Sequence, residues 1–406
     1  MKDLYPLGET PPTGRVPERM IAATIRRERF GEPKDAMIVE EVPTPPVGPG
    51  QVLVWVMAAG VNYNMVWASL GRPVDVIAMN RRAGSTEDLH VGGSDGAGIV
   101  WAVGSRVRGT KVGDEVILTV SQWDERSDDV RLGTDGTCSR STRVWGYETS
   151  HGSLAQFAVV DDYQVHPKPA ALSWEDAGCF SLTAGTAYRQ LCGWHPHTVS
   201  PGDPVLIWGG AGGLGSMAIQ IVNQLGGVPV AVVSDGKKAE HCRSAGAHAT
   251  IDRQVFQHWG PMPPGDTPKD LRQWQVGVRR FQQAFWEVLG ERRSPRIVLE
   301  HPGSATLPTS IAVCDLGGMV VTCGATSGYH ADLDLRFLWM RQIRLQGSHM
   351  ANTRQFRSVI ALAGRGSLDV CRTGTYSLAE SSTAHQLLRE GAQMGNLAIR
   401  VNAPAA

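Results

Sequence analysis

No run of eighteen apolar residues occurs anywhere in the chain, so nothing in it reads as a bilayer-spanning helix. The opening MKDLYPLGETPP has no apolar core of the signal-peptide kind, and the expected location is the cytoplasm. Cysteine is sparse: the seven residues are odd in number, scattered and free of any CxxC pair. That excludes a disulfide framework and fits reduced, mostly buried thiols. An excess of one charge is also missing, since Lys plus Arg and Asp plus Glu each total 39. A chain so balanced carries no electrostatic footprint for nucleic acid or an anionic membrane, although a local basic pocket for a phosphorylated ligand stays open. Charged residues make up only 19% against 42% hydrophobic, which excludes a disordered polypeptide. There is no internal repeat and no low-complexity segment.

What is present is length, glycine and strand-forming runs. The 406 residues suggest two or three domains. Residues 1–45 are irregular and proline-rich at both ends, with AATIRRERFG as a first strand and turn. QVLVWVMAAGVN (51–62), GIVWAVG (98–104), DEVILTV (114–120) and LAQFAVVDD (154–162) read as further strands of a compact β-rich domain. The polar stretch 121–143 reads as a long exposed loop. From residue 173 the rhythm changes: Ser173 is expected to cap a helix, with Asp176 at the capping-box position. Strands and helices then alternate. PVLIWG, VPVAVVS, HATID, RIVLEH, GMVVTCG and IRLQGSH are the strands, and LGSMAIQIVNQLGG and KKAEHCRSAG are helices. This βαβαβ order implies a parallel, doubly wound sheet, so the fold class is α/β. An insertion at 253–295 opens with the proline-rich GPMPPGDTP. A helix follows it, with Leu271, Trp274, Val278, Phe281, Phe285 and Leu289 on one stripe, expected to pack on the sheet or on a neighbouring subunit. TRQFRSVIALAG is a late helix, and 350–406 is expected to return to the β-rich domain.

WGGAGGLG lies between a strand and a helix and contains G-x-G-x-x-G at Gly210, Gly212 and Gly215, with Gly213 between them. Gly209, Gly212 and Gly215 also fit a GxxGxxG spacing. Glycines admit a pyrophosphate close to the backbone, and the helix start supplies free N–H groups, so the block reads as a dinucleotide site. Past the next strand stand Ser234, Asp235, Gly236, Lys237 and Lys238, and Arg253 closes the strand after that. Ser234, Lys238 and Arg253 can surround a 2′-phosphate, which favours NADPH. An inward-turned Asp235 would instead favour NADH. CGATSG (323–328) is expected to border the nicotinamide, with Thr326 and Ser327 as its amide contacts.

Whole blocks of the chain carry a further likeness: KDLYPLGETPP, AATIRRER, VMAAGVNYNMVWASLG, GSDGAGIVWAVG, RVWGYET, HPHTVSPGDPVLIWGGAGGLG, EHPGSATLP, RFLWMRQIRLQGSHMAN and GNLAIRVN. In these the chain resembles the crotonyl-CoA carboxylase/reductases, the enoyl-CoA carboxylase/reductase group of the medium-chain dehydrogenase superfamily, over almost its whole length. The resemblance implies a GroES-like β-rich catalytic domain (1–176 and 348–406) and a Rossmann cofactor domain (177–347), with the active site in the cleft between them. No metal is expected. Where zinc-using members of the superfamily carry GHE, this chain reads GGSDGAG (92–98), and the four-cysteine lobe is missing.

The reaction it implies is NADPH-dependent reductive carboxylation of an α,β-unsaturated acyl-CoA with CO2 to an alkylmalonyl-CoA. A homo-tetramer, a dimer of dimers, is the implied assembly. Asn64 of VNYN, Tyr147 and Glu148 of WGYET and His349 of GSH match the family's CO2 pocket; many members have Phe at the position of Tyr147. Taken singly, Asn64 reads as a turn residue, Glu148 as a surface acid, Tyr147 as core and His349 as structural. Their joint match reads as a site. Segments 71–93 and 121–143 depart from the family pattern, which leaves acyl chain length, and a carrier-protein thioester in place of CoA, open. A non-carboxylating enoyl-thioester or quinone reductase, or an idle nucleotide-binding scaffold, are the alternatives.

Overall fold

The computed structural model describes residues 2–263 and 267–404; residues 264–266 of the proline-rich stretch lie outside the described residues. The chain divides into two compact units. The first comprises Met1–Gly185, Met350–Gly366 and Arg372–Ala406; the second comprises Thr186–His349 and Ser367–Cys371. Among the described residues no helix is long and apolar enough to cross a membrane.

The first unit is built on the strand Gln51–Gly60, buried from Val52 onward. Its sequence VLVWVMAAG is apolar without alternation because both of its faces are covered. Gly96–Val103 pairs antiparallel along one edge, while Phe157–Asp161 and Asn396–Arg400 share the other. A three-stranded sheet, Ile38–Pro43, Arg19–Arg26 and Leu89–Val91, completes the β-rich part.

Two expectations change in this unit. Residues 121–143 are not a plain exposed loop: Ser121–Gln122 pairs with Arg143–Val144, and Thr137 and Ser139 are buried. The Asp129 carboxylate gathers the amides of Val130 and Arg140, both at 2.9 Å, and the Ser139 hydroxyl at 3.1 Å. A polar composition that reads as loop here bonds to its own backbone. Ser173 does cap the helix Trp174–Gly178, accepting from the Asp176 amide at 3.1 Å. Asp176 forms no capping box, however. One of its oxygens accepts from the Ser173 hydroxyl at 2.6 Å and the other from Arg372 Nε at 2.6 Å. A distant arginine has taken the carboxylate that the local spacing offered to the helix.

The second unit holds six parallel strands in the order Ala249–Asp252, Val228–Val233, Pro204–Ile207, Ile297–Glu300, Met319–Thr322, Arg344–Gly347. In chain order this is 3-2-1-4-5-6, and the direction of winding reverses between Pro204–Ile207 and Ile297–Glu300. Open sheets of this kind bind ligands at the carboxyl ends of such a pair. The insertion helix Pro268–Leu289 buries Trp274, Val278, Phe281 and Phe285 against Leu206, Trp208, Val230 and Val298. Phe281 stacks on Trp208, ring centroids 5.5 Å apart at 12°. The stripe therefore packs on the sheet of its own unit, which settles one of the two expectations for it.

Burial pushes His90, His166, His258, His301 and His385 down to about 4, from an ordinary 6.5. Asp95 and Glu300 are pushed the other way, up to about 7, also by burial. Between about 4 and 6.5 the unfolded chain binds protons that the folded histidines refuse, so acidification favours unfolding through those five groups. The two acids hold protons better when folded and oppose the trend, but they are outnumbered. The melting temperature should therefore fall by roughly 5 °C or more between pH 7 and pH 4.5. A profile that is flat or rises on acidification would refute this account.

Candidate active site

Asn64 lies in the first turn of the helix Tyr63–Leu70, whose N-cap is Asn62. Two consecutive residues hold these two asparagines. Asn64 Nδ2 donates to Ser94 Oγ at 2.6 Å, and Asn62 Nδ2 donates to Asp95 Oδ1 at 2.8 Å. Ser94 and Asp95 are fully buried. Asp95 also accepts from the Leu182 amide at 3.3 Å. The Asn64 carbonyl oxygen is buried and has no hydrogen-bond partner.

Tyr147 and Glu148 share one tight turn. The Tyr147 and Glu148 amides donate to the Val144 carbonyl at 3.1 and 2.7 Å, and Glu148 Oε2 accepts from the Val144 amide at 2.7 Å. One carboxylate oxygen is thus committed to the turn. Tyr147 is half-buried and packs against Val144, Met350, Ala351 and Phe356. Gly146 makes the turn, with φ +71°, and a Cβ there would lie 1.9 Å from the Gly93 carbonyl oxygen. Segment 92–95 therefore meets both the Asn64 helix and the Tyr147–Glu148 turn.

His349 is exposed at the end of the second unit's chain segment. The residues that follow it are fixed within the first unit: Met350 and Ala351 join the cluster around Tyr147, Ser121 Oγ donates to the Ala351 carbonyl at 2.6 Å, and Asn352 Nδ2 donates to Asp135 Oδ2 at 2.8 Å.

In the second unit the glycine block follows Pro204–Ile207 and leads into the helix Gly213–Gln224. Its glycines serve different needs. A Cβ on Gly210 would stand 2.5 Å from Ala231 Cβ, and one on Gly215 would stand 2.5 Å from the Gly209 oxygen, so both are required by internal packing. A Cβ on Gly212 would meet nothing nearer than 3.6 Å. Gly212 is the N-cap, and no side chain caps the helix. An open glycine at an uncapped helix start is the surface a pyrophosphate needs.

The register pairs Val233 with Asp252, so Ser234 and Arg253 each follow a paired residue. Lys238 Nζ donates to Ser234 Oγ at 3.1 Å. Asp235 faces its own helix: Oδ1 accepts the Lys238 amide at 2.9 Å and Oδ2 the Ser234 hydroxyl at 3.1 Å. Thr326 is exposed. Ser327 is used by its loop, since its hydroxyl donates to the Pro302 carbonyl at 2.6 Å and accepts from the Ala305 amide at 3.0 Å.

Sequence reasoning did not single out Ser94, Asp95, Glu300 or His301. Glu300 is fully buried at the reversal point. Its oxygens accept from the Gly303 amide at 3.0 Å, Thr306 Oγ1 at 2.7 Å and Ser310 Oγ at 2.6 Å, and Ser310 accepts in turn from Trp208 Nε1 at 2.8 Å. His301 Nε2 lies 3.1 Å from the Trp208 carbonyl, beneath Gly209. A Ser-Asp pair and a Glu-His pair at strand ends were the available signals, but neither reveals burial.

Comparison with known proteins covers the entire chain. It is 45% identical to crotonyl-CoA carboxylase/reductase of Cereibacter sphaeroides over 99% of this chain and 92% of that protein. The chain belongs to the crotonyl-CoA carboxylase/reductase family. Among solved structures of this family, AntE in complex with NADP matches at 57% identity and a TM-score of 0.96, covering 100% of both chains. The 2-octenoyl-CoA carboxylase reductase CinF, in complex with NADP and 2-octenoyl-CoA, matches at 36% identity and 0.89, covering 96% of this chain and 89% of that one. The alcohol dehydrogenase GroES-like domain matches residues 48–170, and the domain described as zinc-binding dehydrogenase matches 213–365. Hence the fold is a GroES-like domain with a Rossmann sheet, as the resemblance implied. The donor set does not fit zinc: among the described residues no three His, Cys, Asp or Glu are grouped to hold a metal ion, and Asp95 is engaged by Asn62 and the Leu182 amide.

Proposed function

We propose that this protein is an NADPH-dependent enoyl-CoA carboxylase/reductase that converts a crotonyl-CoA-like thioester and CO2 into an alkylmalonyl-CoA. The observation that carries the reading is the end-to-end likeness to the Cereibacter sphaeroides carboxylase/reductase and to AntE. NADPH, when bound, supplies hydride to the β-carbon of the enoyl thioester. The residues fit it. Gly210, Gly212, Gly213 and Gly215 would shape the pyrophosphate cradle; Ser234, Lys238 and Arg253 would take the 2′-phosphate; Thr326 would serve the nicotinamide amide, with Ser327 holding its loop. The orientation of Asp235 supports NADPH over NADH, because its carboxylate caps a helix through the Lys238 amide rather than reaching for a ribose.

The substrate enolate can take either CO2 or a proton at its α-carbon. Asn64 and His349 hold the oxygens of CO2 and stabilise the carboxylate as it forms. Glu148, with one oxygen taken by the Val144 amide, is the acid that the family likeness pairs with His349, directly or through an ordered water. The Tyr147 ring keeps water from the enolate, which would otherwise be protonated to the saturated thioester. The assembly is a homo-tetramer. One interface for it is offered by the edge strand Arg344–Gly347, which among the described residues pairs only with Met319–Thr322, and by the exposed Leu335, Trp339 and Met340 in the helix before it.

Three outcomes test this reading. With NADPH, crotonyl-CoA and carbon-labelled bicarbonate, the enzyme should form labelled ethylmalonyl-CoA, and His349→Asn should raise the saturated-to-carboxylated ratio roughly tenfold. Saturated product alone from the unaltered enzyme would make it a non-carboxylating reductase. Lys238→Ala should raise the KM for NADPH about tenfold while moving that for NADH less than twofold; an equal change in both would displace Lys238 from the 2′-phosphate. Light scattering should give four chain masses, and Trp339→Glu a smaller species. A monomer for the unaltered protein would end the tetramer assignment.

A further inference from the structure

The asparagine assigned to CO2 is not free to turn. Its amide nitrogen is bonded to Ser94 Oγ at 2.6 Å, and Ser94 is sealed from solvent. The serine is itself immobilised. Gly93 before it has φ +100° and accepts the Ser153 amide at 3.0 Å through its carbonyl; Asp95 after it is held by Asn62 and by the Leu182 amide. One bond to a fixed partner sets the plane of an amide. What is left of the Asn64 amide is its second N–H and its carbonyl oxygen, and that oxygen is buried with no partner. Native proteins rarely leave a buried carbonyl unmet unless something else meets it.

We propose that Ser94 is a positioning residue for carboxylation. It holds the Asn64 amide so that the second N–H and the carbonyl oxygen face the bound gas molecule together. The chemistry suits a linear, uncharged ligand: the N–H donates to one CO2 oxygen, and the carbonyl oxygen lies against the electrophilic carbon. Neither contact is strong, so the fixed plane of the amide carries the selectivity. The proposal rests on the carboxylase reading of the site, but the orientation of Asn64 can be measured independently of catalysis.

The test is Ser94→Ala, with Ser94→Cys as the variant that keeps a hydrogen-bonding atom on the same Cβ, slightly larger in size, while weakening the hydrogen bond. The carboxylated-to-saturated product ratio should fall about tenfold in Ser94→Ala, well beyond any loss of NADPH oxidation rate, and by a smaller factor in Ser94→Cys. In an Asn64→Ala background Ser94→Ala should shift the ratio no further, because the group that it positions is gone. A crystal structure of Ser94→Ala, or of Ser94→Cys should the former not fold, should show the Asn64 amide turned from its present plane. An unturned amide, an unchanged ratio, or an added loss in the double variant overturns the proposal. Absence of carboxylated product from the unaltered enzyme overturns the carboxylase reading instead.

Discussion

The approach of several backbone segments to the carbonyl oxygen of Gly93 is the constraint on which the first unit's candidate residues depend. A Cβ at Gly146 would stand 1.9 Å from this oxygen and one at Gly152 would stand 2.3 Å from it, while the Ser153 amide donates to it at 3.0 Å. With no side chain between them, the segment that carries Ser94 and Asp95, between Leu89–Val91 and Gly96–Val103, lies directly against the turn that carries Tyr147 and Glu148. Side chains then extend the contact, Ser94 to Asn64 and Asp95 to Asn62. An alanine in the wrong one of these glycine positions would separate the amide from the aromatic without touching either. Asn64, Ser94 and Tyr147, far apart in sequence, are thus placed by backbone proximity first and by hydrogen bonds second.

Each unit also buries a carboxyl group among donors alone. Asp95 meets an asparagine amide and backbone N–H groups; Glu300 meets two hydroxyls and a backbone N–H. Burial favours the protonated form of both, and the donors favour the charged one. The balance leaves each near 7, so neither is a strong acid or a firm proton store. Their value is geometric. A fully satisfied buried polar group fixes every partner it touches, because a displaced partner leaves a charge unmet in a poor solvent. Through Asp95 the start of the Asn64 helix is fixed, and through Glu300 and Ser310 the Trp208 that follows the first strand of the parallel sheet.

Much of the second unit was legible in its residues. The strand and helix order followed from periodicity, and the stripe from Leu271 to Leu289 foretold an amphipathic helix that buries Trp274, Val278, Phe281 and Phe285. The glycine block announced a nucleotide, but not that Gly210 and Gly215 answer to packing while Gly212 faces open space; that difference needs neighbours in space. Segment 121–143 was misread because composition counts polar residues without asking whom they bond. Asp176 was misread because Arg372, 196 positions away, outcompeted a local partner. Ser94, Asp95 and Glu300 were invisible for a related reason: a polar residue among small ones, or at the end of an apolar strand, looks exposed until the fold closes over it. The single reading of Tyr147 survives beside the joint one, since the residue does pack in a core; Glu148, read alone as a surface acid, braces a turn instead.

The chemistry assigned to these residues asks for weak binding in a rigid place. CO2 has neither charge nor dipole, and a lysine or arginine set there to hold it would hold water and bicarbonate more tightly. A cationic N–H beside an enolate would also be an acid within reach. Amide groups avoid both faults, since they polarise an oxygen yet do not surrender a proton at neutral pH. On the proposed reading the Asn64 side chain, tied to a buried serine, brings polarity without acidity, and the Tyr147 ring, packed with Val144, Met350, Ala351 and Phe356, brings apolar cover. Selectivity for the gas over a proton then follows from what the enolate cannot reach. On the proposed reading, then, residues that keep acids and water away from the enolate matter as much as those that would touch CO2.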